Sequence, residues 1–487
     1  MRRMALSPAW FPARFPVRLP AWLPALALVV TTALVSGCAV QGPDYQRPAV
    51  ELPADYPEAP ANASGAAVAA DWWKLFGDST LNDLVAAAQT RNADVRIATA
   101  QLEEAEAALR EVGAALFPQV DASFANSRSR VSRLTALPNP APLVRPERRL
   151  AASTAFEIDF WGRLARGTEA ARAQAMASRY ARDVVTLSLA GTTAQVYFAL
   201  RSADAQLAIA TTTFKAREET LQVIKARAAG GIASPLEVAQ AQGALADAAI
   251  QMKEQERQRR LFEHQLGQLT GKLDLKLAPG ALSALPVPPV PPAGLPSALL
   301  ERRPDIQVAE QNLIANNARI GIARAAMFPT ISLTGSAGSQ SGAFSDLLVA
   351  GSRIWSLGFG ISLPIFDAGR IAARTEQAEA RQRQSLASYQ KTLEAAFRET
   401  ADALTNVEWT GAVEADLQTR LAAARDALAI SRTRYQAGYS GYLEVLDAQR
   451  TANDAELALT RNRQARLAYS VDLMKALGGG WIPAPKP

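Results

Sequence analysis

The chain is 487 residues long, 49% hydrophobic and 20% charged, with a formal net charge of +6, one histidine and one cysteine. A single cysteine excludes an internal disulfide, and one cysteine with one histidine excludes a Cys/His zinc site. Residues 1–37 hold four arginines (Arg2, Arg3, Arg14, Arg18) and no acid, so their removal leaves 6 − 4 = +2; that excess, without a basic stripe interleaved with aromatics, implies no nucleic-acid partner.

The arginines precede an apolar run from Ala21 to Val35, the pattern of a secretory signal peptide. It ends in Leu34-Val35-Ser36-Gly37-Cys38, which resembles a bacterial lipobox. The resemblance implies that residues 1–37 are removed and that Cys38 becomes the first residue, with lipid on its sulfur and amine. Ala39 follows instead of aspartate, which in the lipoproteins of enteric bacteria is compatible with sorting to the outer membrane. Beyond the signal no apolar run approaches the ~18 residues of a transmembrane helix. Any membrane crossing must therefore be made with strands.

Residues 38–78 read as a lipid-anchored, extended segment, Pro- and Ala-rich between Gly42 and Ala70. Residues 79–278 form a first repeat. Within it, Asn92 through Phe117-Pro118 reads as a helix, and residues 119–160 as a β-hairpin. Leu150, Ala152, Thr154, Phe156, Ile158 and Phe160 alternate with Ala151, Ser153, Ala155, Glu157 and Asp159, and Val120, Ala122 and Phe124 begin the weaker partner strand. No proline occurs between Pro146 and Pro235, and the Ala-, Leu-, Arg- and Glu-rich composition there favours helix. A helix from about Arg163 to Ala229 would be roughly 100 Å long at ~1.5 Å per residue, with its tip at residues 230–235. Gly231 supplies a left-handed stop. Ser234-Pro235-Leu236-Glu237 restarts a helix with a capping box.

Residues 279–303 are a Pro-rich linker, read as a stiff spacer. Residues 304–478 then repeat the unit, with a helix, a β-hairpin at 330–366 and a helical hairpin whose tip is at 437–442; residues 479–487 are a tail. Arg227, Gly231, Leu236, Glu237, Val238 and Gln242 recur as Arg434, Gly438, Leu443, Glu444, Val445 and Gln449, at a constant offset of 438 − 231 = 207. The helix ending at Phe117-Pro118 recurs at Phe328-Pro329 with an offset of 329 − 118 = 211. Two tandem copies, differing by four residues in a loop, account for both offsets. In the second hairpin Trp355, Leu357, Phe359, Ile361 and Leu363 alternate with Ser356, Gly358, Gly360 and Ser362, and Ile331, Leu333 and Gly335 begin the partner.

Strands of about ten residues, apolar on one side and small or polar on the other, suit a transmembrane barrel; a half-buried hairpin on a soluble domain is the alternative. No conventional core is evident, which favours the barrel. Four strands cannot close one, and open edges are not viable in lipid, so oligomerisation is required: two chains give eight strands, three give twelve. Leu386, Tyr389, Leu393, Ala396, Thr400, Ala403 and Val407 follow alternating steps of three and four, as do Val185, Leu189, Thr192, Val196, Ala199 and Ala203. That spacing is a coiled-coil seam, although an ordinary bundle fits it as well. No catalytic constellation is visible. His264 lies in a charged helical stretch and reads as a solvated side chain, Gly358-Phe359-Gly360 lacks the third glycine of a dinucleotide loop, and no metal site is expected.

Gly42-Pro43-Asp44-Tyr45-Gln46-Arg47-Pro48, Asp71-Trp72-Trp73-Lys74-Leu75-Phe76-Gly77-Asp78-Ser79-Thr80-Leu81 and the doubled tip together resemble the lipoprotein (NodT-type) branch of the TolC/OprM-like outer-membrane factors of tripartite efflux systems, from Cys38 to about Gly478. The resemblance implies a mixed fold, all-α plus transmembrane β: a homotrimer whose twelve-stranded β-barrel is continued by a twelve-helix periplasmic tube. It implies a passive exit duct in the outer membrane, serving a periplasmic adaptor (membrane fusion protein) and an inner-membrane RND-type transporter, with no cofactor beyond the lipid on Cys38. Glu444, Asp447 and Tyr435 are then the periplasmic gate. Arg227, Gly231, Ser234, Arg434, Gly438 and Ser440 belong to the adaptor-docking tips. Ser440 stands where a relative has an arginine latched across protomers to the position of Glu237, leaving Arg434 or Arg227 as substitutes. Glu444, third after Gly441, is alternatively a helix cap, and Asp447, opposite Gln240 in the first repeat, alternatively a solvated surface residue. Other readings of the whole chain are a lipid-anchored adaptor, a coiled-coil scaffold, or the outer-membrane duct of a type I secretion system. An adaptor would carry one hairpin, and a scaffold would have no use for the strands.

Overall fold

The computed structural model describes residues 40–50, 53, 55–57, 68–132, 134, 143–292 and 299–482; the signal segment and Cys38 lie outside them. The chain divides into two compact units, one comprising residues 40–43, 114–167 and 320–375 among those described, the other residues 44–113, 168–319 and 376–482.

The first unit is built on one antiparallel sheet of four strands, β1 (Gln119–Arg130), β2 (Val144–Ile158), β3 (Thr330–Ser341) and β4 (Arg353–Ser362), in that order. The two hairpins expected from the repeats are joined through β2 and β3, where Phe156 pairs with Leu333 and Ile158 with Ile331. The register brings every apolar row to one face: Val120 opposite Thr154, Phe124 opposite Leu150, Leu333 opposite Phe359 and Gly335 opposite Leu357. Trp355 remains 80% exposed and Leu357 72%, so this face has no protein cover among the described residues. The opposite face carries serine, threonine and glycine on β3 and β4, and adds Asp121, Arg145, Glu147, Arg149 and Glu157 on β1 and β2. There Ser336 and Ser356 share a hydroxyl hydrogen bond of 2.7 Å, and Thr334 Oγ1 donates to the Gly358 carbonyl at 3.4 Å. Among the described residues β1 pairs only with β2 and β4 only with β3, leaving two open edges.

The strand ends are pinned by local chemistry. The Asp159 carboxylate accepts from the backbone N–H groups of Leu164 and Ala165 at 3.0 and 2.7 Å, and Asp367 accepts from Gly369 and Ile371 at 3.0 and 2.9 Å; each caps the helix that follows. The Phe-Pro motif of the second repeat meets the first here. Phe328 stacks on Trp161 with ring centroids 4.5 Å apart, and the indole N–H donates to the Pro329 carbonyl at 2.8 Å. Gly162, at φ +75°, lets Val40 pass where a Cβ would meet its side chain at 2.5 Å.

The second unit is helical. Its main helices, some of whose ends reach into the first unit, are α1 (Ser79–Arg91), α2 (Ala93–Ala114), α3 (Arg163–Ala229), α4 (Pro235–Thr270), α5 (Pro304–Ala325), α6 (Arg370–Gln436) and α7 (Tyr442–Ala476). α3 and α6 are 67 residues each, about 100 Å at ~1.5 Å per residue. Among the described residues no helix is long and apolar enough to cross a membrane. The helix expected from Asn92 has a partner before it, α1, and Asn92 is the break. Its backbone is extended (φ −62°, ψ 140°), its Oδ1 accepts from Asp94 N–H at 2.7 Å, and its Nδ2 donates to the Leu269 carbonyl at 3.0 Å.

Contrary to expectation, the helices enclose a conventional core, in two main parts. In one, Trp72 and Phe76 pack fully buried with Leu81, Tyr197, Phe198, Leu266 and Val471. In the other, Tyr389, Leu393, Ala396 and Val407 of α6 meet Ile306 and Leu313 of α5 and Leu473 of α7. The α6 seam is thus the buried face. The α3 seam is only half of one: Val185, Thr192 and Ala199 are half-buried, whereas Ala190, Ala194, Tyr197, Phe198 and Leu200 are deeper. The Trp72–Phe76 turn and α1 cover that second side of α3, so a single helix-on-helix stripe does not describe it.

Two further expectations change. The N-terminal stretch, read as an extended tether, has no helix or strand over residues 40–50 but is packed down, because Arg47 grips the buried Glu310 carboxylate with two hydrogen bonds (2.7 and 2.8 Å) and Tyr56 stacks on Phe397 at 5.0 Å. The Pro-rich linker is not a bare spacer at its start, since Leu282 and Leu285 are buried in the first core. Residues 277–280 are held by a buried ionic network. Asp204 accepts from Arg201 (3.0 Å), Arg259 (2.6 Å) and Gly280 N–H (3.0 Å), while Glu263 accepts from Leu277 N–H at 2.9 Å and pairs with Arg259 at 3.1 Å.

Candidate functional site: the two hairpin tips

Both tips are built by the same backbone device. Gly231 (φ +73°) and Gly438 (φ +80°) take the left-handed conformation, with open space around the position of a Cβ, so the demand for glycine is conformational rather than steric. The next residue closes the helix end, Ile232 N–H donating to the Arg227 carbonyl at 2.8 Å and Tyr439 N–H to the Arg434 carbonyl at 2.9 Å.

The restarts differ. Ser234 forms the expected capping box: its hydroxyl accepts from Glu237 N–H at 3.2 Å, and Glu237 accepts from Ser234 N–H at 2.8 Å. The second tip has Gly441 at that place and no side-chain cap. Ser440 lies one residue earlier, opposite Ala233, and its buried hydroxyl has no hydrogen-bond partner among the described residues. Glu444 is therefore not a helix cap. Its carboxylate instead pairs with Arg434 at 3.2 Å, with both side chains about half exposed.

Around this pair the two hairpins meet. Arg227, from the first tip, places its guanidinium 4.9 Å over the Tyr435 ring, and Tyr435 tilts against Tyr442 at 5.8 Å. Burial is the main cause raising the Tyr435 phenol above its usual range; the nearby Arg227 opposes it and Glu237 adds to it. Beneath lie Leu221, Ile224, Ala241, Tyr442 and Val445, a small core shared by α3, α4 and α7. Arg227, Arg434, Tyr435 and Glu444 thus form one cluster.

Asp447 is separate, one turn further along α7. It pairs within its helix to Arg450 at 3.0 Å, and both are well exposed. Asp447 and Arg450 line a groove with Gln240, Asp247, Arg217 and Asp454, so Asp447 and its repeat counterpart Gln240 border the same space. Lower in the stack, the buried Arg217 donates to the buried Gln449, and Thr213 donates to Asn453 at 3.2 Å. These cross-hairpin bonds break the repeat symmetry, for Gln242, the counterpart of Gln449, is exposed. Gln449 was marked by its recurrence; Arg217 sits in an ordinary charged helix and carried no signal. His264 is exposed on α4. Among the described residues no group of three or more His, Cys, Asp or Glu could hold a metal ion.

Comparison with known proteins agrees with this architecture. The family model described as outer membrane efflux protein matches residues 84–272 and 295–479. The chain is 34% identical over 469 residues to the toluene efflux pump outer membrane protein TtgC of Pseudomonas putida, covering 94% of this chain and 95% of that protein. It is 35% identical over 454 residues to the outer membrane protein OprJ of Pseudomonas aeruginosa, covering 92% and 94%. The crystal structure of the Campylobacter jejuni CmeC outer membrane channel superposes with a TM-score of 0.85 at 26% identity, over 91% of this chain and 96% of that one.

Proposed function

The chain belongs to the outer membrane efflux protein family, and from that premise we propose that three copies form the gated exit duct of a tripartite efflux pump, docked through its hairpin tips to a periplasmic adaptor and, through it, to an inner-membrane transporter. It is an outer-membrane efflux channel with a helical plus β channel fold. The observation that carries the proposal is the sheet. Its apolar face is uncovered, its other face is small and polar, and both of its edges are open. Exposed edges cannot persist in lipid. Three chains of four strands supply twelve, more than the ~8 whose side chains fill a barrel, so a lumen lined by the polar face follows.

The tips are the gate in this reading. Glu444 and Asp447, three residues apart on α7, share a helix face, and a threefold axis makes a ring of each. Carboxylates ~6 Å apart repel by about 3 kcal/mol at an effective dielectric of 20. The intra-chain arginines Arg434 and Arg450 offset that repulsion. Exposed ion pairs of this type contribute only about 0–1 kcal/mol each, so they break readily when the tips part. Arg227, Gly231, Ser234, Arg434, Gly438 and Ser440 form the docking surface. No step needs covalent chemistry, and selectivity comes from the pump that loads the duct.

Planar-bilayer conductance tests the gate. Asp447→Ala removes a carboxylate and frees Arg450, so closed-state current should rise and cation preference should weaken, whereas Gln240→Ala should change little. Unchanged leak and ion selectivity in the Asp447 variant would remove Asp447 from the gate. The anchor is tested separately. Cys38→Ser should abolish the acyl mass on the mature N-terminal peptide, leaving attachment to the barrel alone; a wild-type peptide without acyl mass would refute the lipid assignment.

A further inference from the structure

The uncovered face of the sheet is apolar for only part of its height. The strand register continues it, toward the β1–β2 and β3–β4 loops, into four arginines. Arg128 lies opposite Pro146, Arg130 opposite Val144, Arg148 between Asn126 and Ser341, and Arg353 opposite Ser339, all in the same outward phase as Phe124, Leu150 and Trp355. No outward position of any of the four strands is acidic; Asp121, Glu147 and Glu157 all fall in the other phase. Arg148 donates to the Gly342 carbonyl at 2.6 Å. Arg128, Arg130 and Arg353 are exposed, and no carboxylate partner is found for them among the described residues. Residues 131–143 between β1 and β2 contain no acid and one more arginine, Arg133.

This arrangement has a sign and a direction. An arginine is costly at the middle of a lipid face and tolerated near the headgroups, so the row marks one boundary of the apolar band. Arg128 and Arg148 are diagonal neighbours on adjacent strands, about 7–8 Å apart at the backbone, and guanidinium groups at the ends of such long side chains can converge on phosphate oxygens, which they bind in bidentate fashion. With the loop end of the sheet facing outward, as the channel reading above requires, the leaflet at that height is the outer one of an outer membrane, which is built of phosphorylated glycolipid. We propose that Arg128, Arg130, Arg148 and Arg353 form a binding collar for the phosphorylated headgroup of that glycolipid. The collar fixes the barrel's height in the leaflet and its outward orientation. The open β1 and β4 edges each carry part of it, so neighbouring copies bring Arg128 and Arg130 of one chain toward Arg353 of the next.

The test uses the full-length lipidated protein in neutral detergent, titrated with bisphosphorylated lipid A, with lipid A stripped of both phosphates, and with phosphatidylglycerol, bound lipid being counted by native mass spectrometry. The wild type is expected to bind the bisphosphorylated form at least about tenfold tighter than the other two, with a preference that falls as salt is raised. The triple variant Arg128→Gln, Arg130→Gln, Arg353→Gln should lose the preference, the corresponding triple lysine variant should recover part of it, and Arg145→Gln, in the inward phase, should keep it. Equal wild-type binding of phosphorylated and stripped lipid A, equal binding of phosphatidylglycerol, or an equal loss in Arg145→Gln would each overturn the collar. The wild-type comparison needs no variant to fold. Conductance of the same sample separates the two readings: a pore without lipid preference overturns only the collar, and lipid preference without a pore overturns the channel.

Discussion

Asp204→Ala is expected to cost about 3–5 kcal/mol of folding stability, the usual penalty for removing one partner from a buried ionic network. The Asp204 side chain is 3% exposed and accepts from Arg201, Arg259 and Gly280 N–H, so its loss takes the carboxylate from the buried Arg201 and leaves Arg259 with Glu263 alone. Arg201 also donates to the Ala278 carbonyl at 2.7 Å and Arg259 to the Leu277 carbonyl at 2.5 Å. The same residue therefore secures the start of the linker between repeats. Denaturation followed by helical circular dichroism should show the loss, and trypsin should cut after Lys276 at least as fast as after exposed lysines elsewhere. Stability within about 0.5 kcal/mol of wild type, the range of an ordinary surface change, would show that the network is not holding the linker.

Leu357→Arg or Phe359→Arg is expected to cost about 2–4 kcal/mol per chain if these positions lie near mid-membrane. Both are exposed in the single chain and lie in the outward phase with Leu333 and Gly335. Oligomer yield from outer membranes, read as the heat-modifiable band on a gel, should fall sharply. Ser356→Asn, in the inward phase, is the appropriate control. Gly358 is a poorer one, because a Cβ there meets Thr334 Oγ1 at 2.8 Å. Equal tolerance at positions 356 and 357 would refute the assignment of the two faces.

Much of the architecture was readable from periodicity because two strong local rules agree. Alternation over ten residues permits one strand phase, and glycine followed by Ser-Pro-x-Glu permits one kind of helix break. α3 ends where Gly230 and Gly231 stop it. What stayed hidden depends on partners distant in sequence. Trp72 and Phe76 share a buried core with Tyr197, Phe198 and Leu200 of α3, and no heptad pattern records a neighbour over 100 residues away. The Asp204 network reads in sequence as ordinary helix-face charge. At the tips, recurrence singled out Arg434 and Glu444 but not that they pair, because a capping box explained Glu444 equally well until Gly441 proved to lack one.

The central claim is that the open edges of β1 and β4 are closed by neighbouring copies of the same chain. The mass of the particle extracted from outer membranes in mild detergent, measured by native mass spectrometry, tests it most directly. A particle of three chains is the predicted result; a single chain, stable in the membrane with both sheet edges open, would contradict it.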